Sequence, residues 1–187
     1  MQRLDTVAQR YRTVAARFTA VVDGVGTDAW ANPTPCAGWV ARDVVRHLVE
    51  WVPPFLAAGA GLQFTDIPSA DDDPLAAWQL LDATLQATLD APDTASRQFV
   101  HPQAGTHPLD QAIDMFILGD VLVHTWDLAR ATGQDERLDA DAVHRMRRGL
   151  EQMGDVLAAS GHYAGWKPVA DDADEQTRLL ALTGRTT

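Results

Sequence analysis

The chain is short of cysteine, lysine and long apolar runs, and each shortage closes off a class of protein. Cys36 is the single cysteine. One thiol cannot form an intramolecular disulfide, a Cys-rich metal site is excluded, and a reducing, cytoplasmic setting fits. Lysine occurs once, at Lys167, and acidic residues outnumber basic ones 26 to 15, for a net charge of −11. A phosphate backbone needs a basic footprint, so nucleic acid is not an expected partner. No apolar run reaches membrane-spanning length, and "MQRLDTVAQRYR" reads as an amphipathic helix start rather than a signal peptide, so no membrane role is expected either. The acidic stretches "DIPSADDDP" and "ADDADEQ" read as solvated loops or helix N-termini, where negative charge is favoured.

What remains is an ordinary globular composition, 46% hydrophobic and 22% charged over 187 residues. One domain spanning 1–187 is expected, with a core large enough to stand without staples. The apolar period is helical almost throughout. Leu4, Val7, Tyr11, Val14, Phe18 and Val21 predict a first helix over Arg3 to Val22. A second runs from Val40 to Ala58, with Pro53 and Pro54 predicting a kink or an early end. A third opens at Pro74 behind an Asp73 cap and ends near Asp90. "SRQFVHPQAGTHP" reads as a short hairpin or an irregular crossover. A fourth helix covers Leu109 to Thr132 with Gly133 as terminator, a fifth Asp139 to Ala158, and the tail "DADEQTRLLALTG" forms a last short one. The fold class is all-α, a helical bundle.

Within "GDVLVHTWDLARATG", Asp120, His124 and Asp127 stand four and then three residues apart, on one helical face. An Asp–His pair one turn apart can chelate a metal ion; it can equally be a satisfied buried hydrogen bond. A third ligand is available in His47 of "ARDVVRHLVEW", mid-helix between Val44, Val45, Leu48 and Val49. Two histidines and one carboxylate with an open position form a catalytic pattern that suits zinc foremost, with nickel or iron(II) as alternatives. Asp127 reads equally well as a group orienting a ligand histidine or as a surface carboxylate paired with Arg130 or Arg46. Asp43 repeats the Asp-x-x-x-His spacing with His47, but in a first turn it reads as a cap. His101 and His107 share a loop and read as loop residues before they read as ligands. Cys36 is either a reactive thiol near a helix N-terminus or part of the packed turn "TPCAGW". Trp39, Trp51 and Trp126 read as core or pocket wall, and Met146 and Met153 as core. His144 and His162 have no nameable partner.

Three stretches, "PTPCAGWVARDVVRHLVEW", "GTHPLDQAIDMFILGDVLVHTWDLARATG" and "RLLALTGR", carry a resemblance to the DinB/YfiT-like superfamily. Within it, the chain resembles the mycothiol-dependent maleylpyruvate isomerase N-terminal type, and most closely the small actinobacterial metal-binding proteins of that type. The resemblance implies a DinB/YfiT-like four-helix bundle with additional short C-terminal helices. It implies a divalent metal held by His47 from the second helix and Asp120 and His124 from a later one. The isomerase relatives have glutamate at the position of Asp120, one methylene longer, and carry an extra C-terminal domain for which this chain is too short. The implied function is a metal- and thiol-dependent transferase or isomerase, with mycothiol as co-substrate and a small electrophile as the other partner. Arg130 or Arg46 would meet a carboxylate on thiol or substrate. Two alternatives stand beside it: a metal-dependent hydrolase with Asp127 as base, and a non-catalytic metal- or small-ligand-binding module. A homodimer is left open.

Overall fold

The computed structural model of the protein describes residues 5–153 and 166–187. Helix α1 (Val7–Asp23) starts at a reciprocal cap: Gln9 N donates to Thr6 Oγ1 at 3.2 Å, and Thr6 N donates to Gln9 Oε1 at 2.9 Å. The predicted apolar stripe is its inner face, with Tyr11, Val14, Phe18 and Val21 buried. Helix α2 (Ala41–Ala60) starts where Val40 N donates to the Asp43 carboxylate at 2.8 Å, the capping role expected of Asp43. Helix α3 (Pro74–Asp90) is capped by Asp73, whose Oδ1 accepts from Ala76 N at 2.9 Å.

These elements form a ring with the helix that carries the Asp–His stripe. That helix begins as α4 (Leu109–Ala112), passes through a π-helical turn at Ile113–Leu118, and continues as α5 (Gly119–Thr132) to Gly133, at φ 69°. α1 packs against α3 and α5, and α2 packs against the same two, which closes a four-helix bundle. A two-stranded antiparallel hairpin, β1 (Gln98–His101) with β2 (Gly105–Pro108), connects α3 to α4 and lies against α2. α6 (Ala140–Met153) and α7 (Glu175–Leu182) pack on each other beside the ring. Among the described residues no helix is long and apolar enough to cross a membrane.

Four details depart from the periodicity reading. Of the kink or early end expected at Pro53 and Pro54, the early end does not occur: α2 runs through both to Ala60, two residues past the expected Ala58. Buried Val52, Leu56 and Gly59 keep that end docked, which offsets two lost backbone hydrogen bonds. The helix expected unbroken from Leu109 to Thr132 contains the π turn. The first helix starts at Val7 rather than Arg3, which lies outside the described residues. Met153 is 44% exposed rather than core, while Met146 packs against the core as expected. The segment 154–158 of the fifth predicted helix, and His162, also lie outside the described residues.

Candidate metal centre

Helices α2 and α5 run side by side, and their facing side chains bring His47, Asp120 and His124 together. His47 Nε2 lies 3.1 Å from Asp120 Oδ2, and His124 Nε2 lies 3.3 Å from Asp120 Oδ1. One ligand atom from each of the three lies within 4.8 Å of the other two. His124 is buried, while His47 and Asp120 keep 31% and 25% of their side-chain surface open. They open into a cavity of about 990 Å³. Trp51, one turn beyond His47 on α2, donates from Nε1 to Asp120 Oδ2 at 2.9 Å. Trp39 lies nearly parallel to the His124 ring, centroids 5.7 Å apart, and 5.0 Å from His47. Trp39 and Trp51 are therefore cavity wall, whereas Trp126, 1% exposed, is core.

Behind this cluster lies a second layer that the sequence reading left undecided. Asp127 is fully buried. It does not form a surface pair with Arg130 or Arg46. Its Oδ2 takes the hydrogen bond of His124 Nδ1 at 2.9 Å and that of Arg185 Nη2 at 2.7 Å, while Oδ1 accepts from Arg185 Nε at 3.3 Å. The Cys36 thiol donates to the same Oδ2 at 3.4 Å. Cys36 is placed there by a tight loop in which Trp39 N donates to Cys36 O, and Cys36 N to Thr34 Oγ1. Gly38 occupies φ 80° in that loop, a conformation that favours glycine. A metal could in principle also sit among Cys36, His124 and Asp127. The Arg185 guanidinium already fills the cationic position there. That leaves the Nε2 side of His124 as the open one.

The protonation states follow from these contacts. Burial pushes the Asp120 carboxyl up, but His124 and then His47 outweigh it and hold it well below the usual carboxylate range. Burial pulls His124 down, and the charge of Asp120, with the hydrogen bonds that both carboxylates accept from the ring, carries it well above its ordinary value. Asp127 is raised by burial and lowered more by His124 and Arg185, so it too is ionised. Without a metal, His124 is thus an imidazolium between two carboxylates.

Other candidates lie elsewhere. Arg46 pairs with Asp43 and Asp71. Arg130 pairs with Glu136 at 3.1 Å and stands 4.5 Å over the Trp126 ring. Neither lines the cavity. His101 and His107 organise the hairpin: His101 Nδ1 accepts from Gln103 N and Ala104 N, and His107 Nε2 meets Ala104 O at 2.7 Å. His144 finds a partner across α6 and α7 in Glu175, at 3.0 Å. The residue the periodicity missed is Arg185. Its only signal was its place in "RLLALTGR".

Two uncharacterized proteins of Mycobacterium tuberculosis, from strains CDC 1551 / Oshkosh and H37Rv, are each 31% identical to this chain over 178 residues, covering 90% of this chain and 92% of their own length. No solved structure matches the chain. Residues 11–129, which hold His47, Asp120, His124 and Asp127 but not Arg185, match the mycothiol maleylpyruvate isomerase N-terminal domain, and the chain belongs to that family.

Proposed function

We propose that His47, Asp120 and His124 hold a divalent metal ion, zinc foremost, and that the cavity above them joins a small thiol to an electrophile. The observation that carries this is the spacing of the donor atoms. Two ligands each about 2.0–2.1 Å from a tetrahedral zinc stand about 3.3 Å apart. His47 Nε2 stands 3.1 Å from Asp120 Oδ2 and His124 Nε2 stands 3.3 Å from Asp120 Oδ1, and one ligand atom from each of the three residues lies within 4.8 Å of the other two. The donor chemistry fits as well, with two imidazole nitrogens and a carboxylate, and with the far nitrogen of His124 held by a carboxylate, as is usual for metal-bound histidine. Nickel(II) or iron(II) would accept the same set.

A divalent ion in this position lowers the pKa of a coordinated thiol and so supplies a thiolate at neutral pH. The chain's own residues do the rest. Asp127 keeps the proton on Nδ1 of His124. Trp51 occupies Asp120 Oδ2, which leaves Oδ1 toward His124. Trp39 lies beside both histidine rings and Trp51 beside that of His47, which limits the positions their rings can take. The thiol adds across an activated carbon–carbon double bond, its sulfur bonding one carbon as the π bond breaks and its proton passing to the other, to leave a thioether; or the C–S bond of the adduct breaks again after rotation about the carbon–carbon bond, which restores the double bond and returns the thiol with the substrate isomerised. The family's name supports mycothiol as that thiol. The hydrolytic alternative loses support, because Asp127 is fully buried and its oxygens are taken by His124 and Arg185, which leaves no base facing the cavity from that position.

The test is zinc(II)-loaded protein given a panel of electrophiles with and without mycothiol. Consumption that requires the thiol and is lost in His124→Ala supports the reading. Thiol-independent turnover would make the protein a hydrolase. Binding of metal and thiol without turnover would make it a binding module.

A further inference from the structure

One wall of the cavity comes from neither of the two ligand helices but from the turn after α7. Residues Thr183, Gly184, Arg185 and Thr186 all line it. The turn is built to fold back. Gly184 takes φ 83°, Gly184 N donates to Ala181 O at 3.1 Å, and Arg185 N donates to Leu180 O at 2.9 Å. Arg130, on α5, donates to Thr186 O at 3.3 Å, so the turn is pinned on both sides of Arg185. The Arg185 side chain is only 13% exposed. Its donors are spent inside the protein: Nε and Nη2 on the two oxygens of Asp127, Nη1 on Thr183 O at 2.8 Å, and Nη2 also toward Cys36 Sγ at 3.6 Å. A guanidinium so engaged is not placed to recognise a substrate. It is placed to hold a carboxylate by both oxygens, which fixes the carboxylate plane.

We infer that Arg185 is a positioning residue of the metal centre, acting through Asp127 on the ring of His124. The two-point grip on Asp127 sets where Oδ2 lies. Oδ2 receives His124 Nδ1–H at 2.9 Å. The ring orientation thus fixed aims Nε2 at Asp120 and His47. A residue 58 positions along the chain from Asp127 therefore governs the geometry of the three-residue cluster. The metal half of this inference rests on the proposed metal site, while the hold on the His124 ring does not.

The experiment compares wild type with Arg185→Met, Arg185→Lys and Asp127→Asn. The first readout is the low-field, exchange-protected imidazole N–H proton of His124 in metal-free, ¹⁵N-histidine-labelled protein. The second is the zinc(II) dissociation constant by chelator competition. Expected are a protected Nδ1–H signal in wild type, its loss in Arg185→Met and Asp127→Asn, and partial return in Arg185→Lys, whose ammonium cannot grip both oxygens at once. Zinc affinity should fall about 10- to 100-fold in Arg185→Met, the usual cost of losing a group that supports a ligand. A wild-type N–H signal together with zinc affinity within threefold of wild type in Arg185→Met would overturn the inference. Should Arg185→Met not fold, Arg185→Lys decides, since unaltered N–H exchange in that variant contradicts a two-point grip. If wild type binds no zinc, the metal site falls, and the N–H signal alone decides whether Arg185 holds His124.

Discussion

His47 and His124 occupy similar roles in the cluster but different surroundings, and that difference is measurable. His124 is buried and bridges two ionised carboxylates. His47 keeps nearly a third of its side chain open to the cavity. His124→Ala removes one partner of a buried charged network and should cost about 3 kcal/mol of stability. His47→Ala should cost about 1 kcal/mol, as truncations of partly exposed side chains do. Chemical denaturation of the two metal-free variants checks the contrast; equal losses would mean that the buried network does not bear on stability. The sequence showed the two histidines and Asp120 because their evidence is local, a helical spacing and an apolar surround. Asp127 was ambiguous because a carboxylate near a helix end reads the same whether its partner is solvent or a buried arginine. Arg185 was invisible to periodicity because its partner is 58 positions away.

At the scale of the element, the helices were legible and their irregularities were not. Apolar period, the Asp73–Pro74 start and the Gly133 stop mark helices directly. The π turn at Ile113–Leu118 leaves no comparable mark, because it keeps helical torsions at its ends and only shifts the phase of the face. It ends two residues before Asp120, so it sets the rotation at which Asp120 and His124 leave α5. The prolines of α2 pointed to a kink or an early end, and the early end does not occur, because packing of the segment beyond them prevails. That packing yields a prediction. A Cβ on Gly59 would lie 2.0 Å from the Phe99 ring of the hairpin. Gly59→Ala should therefore destabilise by about 1–3 kcal/mol, the usual cost of overpacking, despite alanine's better helix propensity. A thermal melt with no loss would show that the hairpin and α2 are not in close contact.

For the whole molecule, the shifted groups define a pH window for the metal-free protein. The folded pKa of His124 is raised, so its contribution is complete below its unfolded value of about 6.5 and fades as pH climbs through the raised value. The folded pKa values of Asp120 and Asp127 are lowered, so their contributions are present above the unfolded value of about 3.9 and are lost in acid. Metal-free protein should be most stable between about pH 4 and 6.5. A metal must displace the Nε2 proton of folded His124, so metal stabilisation should run the other way and grow with pH until pH passes the raised value. At a free zinc(II) concentration 100 times the dissociation constant the gain is about 2.7 kcal/mol. Melting curves of chelator-treated and zinc-loaded protein across pH 5 to 9 check both slopes. Parallel curves would mean that zinc and the His124 proton do not compete.

The central claim is that one metal ion is shared between α2 and α5. Elemental mass spectrometry tests it most directly, on untagged wild type, His47→Ala and His124→Ala, each purified without chelator and then incubated with zinc(II), nickel(II) or iron(II). The account predicts near-stoichiometric metal in wild type and loss in both variants, including the less destabilised His47→Ala. Wild type that takes up none of the three metals would contradict it and leave the cluster a hydrogen-bond network.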